Sequence, residues 1–121
     1  MKYIISYKDL NEKVDLDKVE RYADFQMDPT DVEFSRHFFD RLTRIEHNDD
    51  EITDDDLMGF FKRLAKHKKK FQDFIDRYDQ FIVKDRETQI NIPFQKRIDQ
   101  IIAKTIMRKR DFKTRDKAYV M

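Results

Sequence analysis

Two stretches of the chain carry apolar side chains at the spacing of an amphipathic helix. The first begins near Val32, after a capping Asp31 or Thr30, and its stripe is Phe34, Phe38, Leu42 and Ile45. The second begins after Thr53, with three aspartates in its first turn, where the helix dipole favours carboxylates. Its apolar positions are Leu57, Phe60, Phe61, Leu64, Phe71, Phe74, Ile75 and Tyr78, with His67 among them. The pattern predicts a long second helix that ends near Asp79, and so a helical pair over residues 33–79.

From Gln80 onward the apolar spacing becomes that of strands. Residues 80–85 are rich in apolar and β-branched side chains, 85–88 have the composition of a turn, and 89–94 alternate polar and apolar. Residues 99–109 are predicted to form a central strand, and 117–121 a short last strand. The pattern therefore predicts an α+β domain in which two amphipathic helices precede a three- to four-stranded antiparallel sheet over residues 80–121.

Residues 1–32 have a weaker pattern. Lys2–Tyr7 fits a short strand, while the region from Ser6 to Val14 fits the start of a helix equally well. Residues 15–32 are acidic, with apolar positions at rough helical spacing. We expect residues 1–32 to form a loosely packed acidic N-terminal arm with one short helix. With 121 residues, we expect 1–121 to be a single domain.

The composition excludes several classes of site. The absence of Cys excludes disulfides, thiolate zinc sites and a cysteine nucleophile, and the single glycine, Gly59, excludes a glycine-rich phosphate loop. No apolar run approaches the ~20 residues of a membrane span, and no carboxylate–histidine pattern suggests a metal site. We therefore expect a cytoplasmic protein without a metal, a cofactor or a membrane partner.

Charge is unevenly divided along the chain. Residues 1–60 hold 8 Lys/Arg and 17 Asp/Glu, whereas residues 61–121 hold 18 and 8. The imbalance is strongest over residues 95–121, with 9 basic and 3 acidic side chains. Such segregation indicates either a polyanion-binding face or attraction between the two halves of the fold.

The basic C-terminal region also contains aromatic side chains. Alternation along the predicted strand places Lys104 and Arg108 on one face, and more cations follow directly after it. Cations bind RNA phosphates and aromatic rings stack on unpaired bases. The predicted RNA contacts are therefore Lys104, Arg108, Lys109, Arg110, Phe112 and Lys113.

Two histidines are candidates for a functional role. His37 shares a helix face with Arg41, four residues later. An imidazole beside a guanidinium suits metal-free cleavage of RNA, because one moves the 2′-hydroxyl proton and the other stabilises charge at phosphorus. The alternative is a solvated helix face. His67, flanked by Lys66 and Lys68, is either an RNA contact or a structural residue of its helix.

The segment Phe34-Ser35-Arg36-His37-Phe38-Phe39-Asp40-Arg41, followed by the helix that contains Leu57–Lys62, resembles a motif of the phage RegB endoribonucleases. These enzymes have the RelE/YoeB-like fold, and the resemblance implies helices before an antiparallel sheet that cuts mRNA. It implies that His37 is the catalytic histidine and that Arg41 is its neighbour. It covers about residues 34–64, and the second catalytic histidine of the family falls at Lys62. Other segments, Ile90–Phe94 and Lys104–Thr114, resemble small tailed-phage proteins instead.

Two functions are therefore expected. One is a phage-type RNA-binding protein that acts in the host cytoplasm as a metal-free, RelE/RegB-like endoribonuclease. Its target is mRNA, free or on the ribosome, which it cleaves by 2′-hydroxyl transesterification. The alternative is a non-enzymatic phage protein, either a virion component or an inhibitor of a host protein. Its charge-segregated surface then binds a protein partner.

Overall fold

A computed structural model describes residues 15–46, 52–110 and 112–121. For residues 43–46 it describes the backbone and not the side chains. Within those ranges the helices are α1 (Leu16–Met27), α2 (Arg36–Glu46), α3 (Asp54–Ala65) and α4 (Lys68–Ile75). The strands are β1 (Asp31–Phe34), β2 (Gln80–Asp85), β3 (Ile90–Arg97), β4 (Gln100–Ala103), β5 (Met107–Arg108) and β6 (Lys117–Val120). The predicted α+β class is confirmed.

The strands form one mixed sheet in the order β1-β4-β3-β2-β6, with β5 paired to β3 beyond the end of β4. The central pairs, β2 with β3 and β3 with β4, are antiparallel. Both edge strands are parallel to their neighbours, β1 to β4 and β6 to β2. The prediction of an entirely antiparallel sheet of three or four strands is therefore wrong at the edges. Long connections lead to these strands, so no hairpin forces them into antiparallel pairing.

One face of the sheet packs against the helices. Buried side chains of all four described helices form one cluster with alternate strand residues, which are Val32, Phe81, Val83, Ile90, Ile92, Phe94, Ile101, Ala103 and Tyr119. The intervening strand residues point to the opposite face, called the outer face below. The register aligns Ile82, Pro93 and Ala118 in one row of that face, and Met107, Asn91, Lys84 and Val120 in the next.

The predicted long helix over 53–79 is two helices. α3 ends at Ala65 and α4 begins at Lys68, with His67 at its N-cap. Of the predicted core positions, Phe60, Leu64 and Phe71 are nevertheless fully buried, and Phe74 is half-buried against the same core. On α4, the ring of Phe71 lies 5.8 Å from that of Phe81 and 5.2 Å from that of Tyr119. Tertiary aromatic packing therefore accompanies the break in a continuous apolar stripe.

The predicted first helix begins later than expected, because residues 31–34 form β1 and pair with β4. The prediction of a loosely packed N-terminal arm is wrong from Asp15 onward. Val19, Ala23 and Met27 on α1 are fully buried, and the backbone N–H of Asp15 donates to Asp54 Oδ1 at 2.7 Å. The predicted element over Lys2–Val14 lies outside the described residues. Among the described helices, none has the length and apolar character needed to cross a membrane.

Candidate nucleic-acid interface

The strand predicted over residues 99–109 is interrupted at 104–106. At the first residue of the break, the backbone N–H of Lys104 donates to the Pro93 carbonyl at 2.9 Å, and Lys104 Nζ lies 3.5 Å from Gln80 Oε1 on the outer face. After the break, Arg108 pairs with core-facing Ile90, and its guanidinium binds Asp56 at 3.1 Å. The prediction that Lys104 and Arg108 share one face is therefore wrong, because the irregular segment shifts the alternation by one residue.

Helix α2 is fixed beside this interruption. Ser35 caps α2 by accepting the Phe38 N–H at 3.0 Å, and its hydroxyl donates to the Lys104 carbonyl at 2.9 Å. One turn further on, Arg41 Nε donates to the Ile106 carbonyl at 3.3 Å. His37 lies between these two anchors, on an exposed part of α2. Arg41 therefore satisfies a backbone carbonyl, a structural role that its spacing from His37 did not reveal.

The described residues between β5 and β6, which are 109, 110 and 112–116, are called the crossing connection and lie across the outer face. β5 lies next to β3, whereas β6 lies on the far side of β2, so the chain must cross both strands. Lys84 of the outer face donates from Nζ to the Phe112 carbonyl at 2.5 Å. This bond holds the crossing connection against the sheet.

A cavity of about 490 Å³ lies between the crossing connection, the β2–β3 turn and the outer face. It is lined by Lys84, Asp85, Arg86, Gln89, Asn91, Lys109, Arg110, Phe112 and Val120. Four of these side chains are cationic and one is a carboxylate. That carboxylate, Asp85, is already bound by Arg63, by Thr88 Oγ1 at 2.7 Å and by the Glu87 N–H at 3.1 Å. The cavity is therefore positively charged, with an aromatic ring in its wall.

The four cations differ in how they are held. Lys84 is bound to the Phe112 carbonyl, and Arg86 Nε donates to the Met121 carbonyl at 2.9 Å, so both also stabilise the walls. Lys109 and Arg110 are exposed, and their side chains form no hydrogen bond or ion pair with the described part of the chain. These two side chains are the ones available to an anionic ligand.

The structure brings together only part of the predicted RNA-binding set. Lys109, Arg110 and Phe112 line the cavity, Lys113 is exposed on the same connection, and Lys104 lies further along the outer face. Arg108 faces the helical side. His67 is exposed at the start of α4, whose Phe71 and Ile75 pack on the core face, so it is also on the helical side.

Sequence reasoning missed six of the nine lining residues, among them Lys84, Arg86 and Asn91. The alternation of residues 89–94 placed Asn91 on a polar face, and Lys84 interrupts an apolar strand beside the predicted turn. These were the available signals. They pointed to the outer face only once the crossing connection had been located.

In comparisons with known proteins, no family model, curated protein or solved structure matches the chain significantly. Within the described residues, no three His, Asp or Glu side chains lie close enough together to hold a metal ion. The functional assignment therefore depends on the chemistry of the cavity and of the outer face.

Proposed function

We propose that this protein binds RNA in the cavity and along the outer face. The observation that carries the proposal is the meeting of Lys109, Arg110 and Phe112 in one cavity whose carboxylate is already neutralised. Lys and Arg bind phosphates, and an aromatic ring supplies a stacking surface for a base. Lys113 and Lys104 extend the positive charge away from the cavity.

Salt-dependent binding tests this proposal. A short fluorescent RNA is titrated with the wild-type protein, with K109S/R110S and with K69S/K70S, which removes two exposed lysines from α4 on the other side of the sheet. Loss of two phosphate contacts lowers the slope of log affinity against log salt by about 1.4, because each contact to a single strand contributes ~0.7. The control variant keeps the wild-type slope. Equal slopes for all three proteins contradict the proposed surface.

The same titration separates RNA from a protein partner. Poly-glutamate offers repeated negative charge without bases. If it competes as well as unlabelled RNA of equal charge, the cavity is a general anionic site and a protein partner is favoured. If RNA competes much better, base contacts contribute and the RNA proposal is supported.

A second candidate function is metal-free RNA cleavage where α2 meets residues 104–106. It is favoured by the hydrogen bonds of Ser35 and Arg41, which hold the helix of His37 against the segment that begins at Lys104. In the proposed reaction, the 2′-oxygen attacks phosphorus while His37 takes its proton. The bond between phosphorus and the 5′-oxygen breaks, the 5′-oxygen takes a proton from solvent water, and a 2′,3′-cyclic phosphate forms. Arg41, one turn after His37 on the same helix, stabilises the negative charge that develops at phosphorus.

Cleavage is tested by incubating total RNA with the protein in EDTA, with and without ribosomes. We expect cyclic phosphate ends, and a decrease of about 10²- to 10⁴-fold in rate for H37A without a change in RNA affinity. RNA that stays intact under both conditions contradicts cleavage and leaves the binding proposal to its own experiment.

A further inference from the structure

Asn91 is a nearly buried amide in the wall of the cavity, with 3% of its surface exposed. Its Nδ2 donates to the Gln89 carbonyl at 3.2 Å and to the Lys109 carbonyl at 3.0 Å. Because both partners are acceptors, the amide orientation is determined and both of its hydrogens are used. Its Oδ1 forms no hydrogen bond with the described residues and is not sealed from solvent. Because Asn91 lines the cavity, this oxygen is an unused acceptor of its wall.

The other walls suit a flat, mostly apolar group. Phe112 is half-buried along one side, and Val120, which is 49% exposed, contributes aliphatic surface. The volume lies within the range of about 300–1,000 Å³ that is usual for small-ligand sites. A planar group with an N–H on its edge would stack on Phe112 and donate to Asn91 Oδ1.

We infer that the cavity receives one unpaired base of the bound RNA, so that the protein selects single-stranded over double-stranded RNA. The inference rests on the RNA binding proposed above and names its substrate class. Bases in a duplex are stacked and their edges are paired, so they cannot enter such a pocket. Lys109 and Arg110, at the exposed rim, then bind the phosphates that flank the inserted base. Every RNA base carries an N–H donor, so we expect selection of strandedness rather than of sequence.

Free nucleotides test base insertion directly. AMP and ribose 5-phosphate carry the same phosphate, and only AMP has a base. Their dissociation constants are measured by NMR on the wild-type protein, with the side-chain amide of Asn91 as reporter. We expect AMP to bind about 5- to 150-fold more tightly, the range that stacking of one base supports, and to shift the Asn91 signal. Equal affinities overturn the inference, because the site then recognises phosphate alone.

Two phenylalanine variants provide a matched comparison. F112A should weaken AMP to the affinity of ribose 5-phosphate, while F25A, which removes a ring 77% exposed on α1, should change neither. F112Y keeps a stacking ring and should restore AMP binding, which separates stacking from a fold defect. An F112A protein that binds AMP normally overturns the inference.

Strandedness is tested with one RNA sequence, as a single strand and as its duplex. We expect the single strand to bind about 5- to 150-fold more tightly, the range that stacking of one base supports. A duplex that binds as tightly overturns base insertion and leaves RNA binding intact. Failure of both forms to bind overturns the proposed function itself, so the two failures are distinguishable.

Discussion

The guanidinium of Arg63 on α3 binds the carboxylate of Asp85 at the end of β2. The side chain of Asp85 is only 1% exposed. Arg63 Nη1 also lies 2.6 Å from Glu87 Oε2 in the following turn. The β2–β3 turn, which forms one side of the cavity, is therefore attached to the helical layer by one side chain.

Replacing Arg63 with Ala should destabilise the fold because it leaves a buried carboxylate without its cation. We expect a loss of about 2–4 kcal/mol in urea unfolding, below the upper end for a fully buried pair because Arg63 is 26% exposed. Glu87→Gln removes the exposed partner and should cost less than about 1 kcal/mol. If the two variants lose equal stability, the Asp85 pair contributes no more than a surface ion pair.

Gly59 lies one helical turn before Arg63 and provides space for its guanidinium. A Cβ at residue 59 would be 3.1 Å from Arg63 Nη1, which Asp85 and Glu87 hold in place. Gly59→Ala normally gains about 1 kcal/mol in a helix interior. We expect a smaller gain, or a loss, in the wild-type background and the full gain in R63A. The double-mutant cycle is measured by urea unfolding, and an equal effect in both backgrounds would show that Arg63 imposes no restriction.

Phe71 is fully buried between α4 and the sheet, in contact with Phe81 and Tyr119. Phe71→Ala should lower the free energy of unfolding by about 3–5 kcal/mol, since it removes a large core side chain and leaves a cavity. Phe25→Ala, on the exposed side of α1, should stay within about 0.5 kcal/mol of wild type. Thermal unfolding of both variants checks this, and native melting of F71A would mean that the apolar stripe does not form the core.

Arg41 should influence stability whether or not the protein cleaves RNA. Its Nε–H satisfies the Ile106 carbonyl, so Arg41→Ala should cost about 0.5–1.5 kcal/mol in urea unfolding. Hydrogen exchange at residues 104–108 should increase as well, because α2 is then less firmly attached to the interrupted strand. Unchanged exchange there would show that Ser35 alone is sufficient to hold α2.

Glu20 makes the stability depend on pH. Burial, followed by the neighbouring charges of Asp24, Glu33 and Asp17, raises its pKa above the ordinary value of 4.5. A carboxyl with a raised folded-state pKa binds protons more tightly in the folded state, so its ionisation reduces stability as the pH rises through that pKa. Glu20→Gln should therefore be more stable than wild type near neutral pH. Its advantage should vanish below about pH 4.5, where both states of the wild type are protonated.

Urea unfolding at several pH values measures this difference. The control is Asp73→Asn, which neutralises an exposed carboxyl on α4 and should stay within about 0.5 kcal/mol of wild type throughout. A constant advantage of E20Q at every pH would attribute it to packing and not to charge.

The candidate site was only partly predictable from sequence. The concentration of Lys109, Arg110 and Phe112 in one short segment was visible, because neighbours in sequence remain neighbours in any fold. Lys84 and Asn91 come from other strands, and no local pattern connects them to that segment. They reach the cavity through strand pairing and through the bond between Lys84 and the Phe112 carbonyl.

Local periodicity determined the α+β class, the β2–β3 hairpin and the buried positions Phe60, Leu64 and Phe71, since each depends on side chains within a few turns or one short strand. The tertiary structure decided the features that depend on distant partners. These include the parallel edge strands, the packing of α1 and the division of one apolar stripe into α3 and α4. It also decided that Lys104 and Arg108 lie on opposite faces, because an irregular segment separates them. That segment accepts hydrogen bonds from Ser35 and Arg41, which are 69 and 65 residues away from their acceptors, so the alternation within the strand alone cannot reveal it.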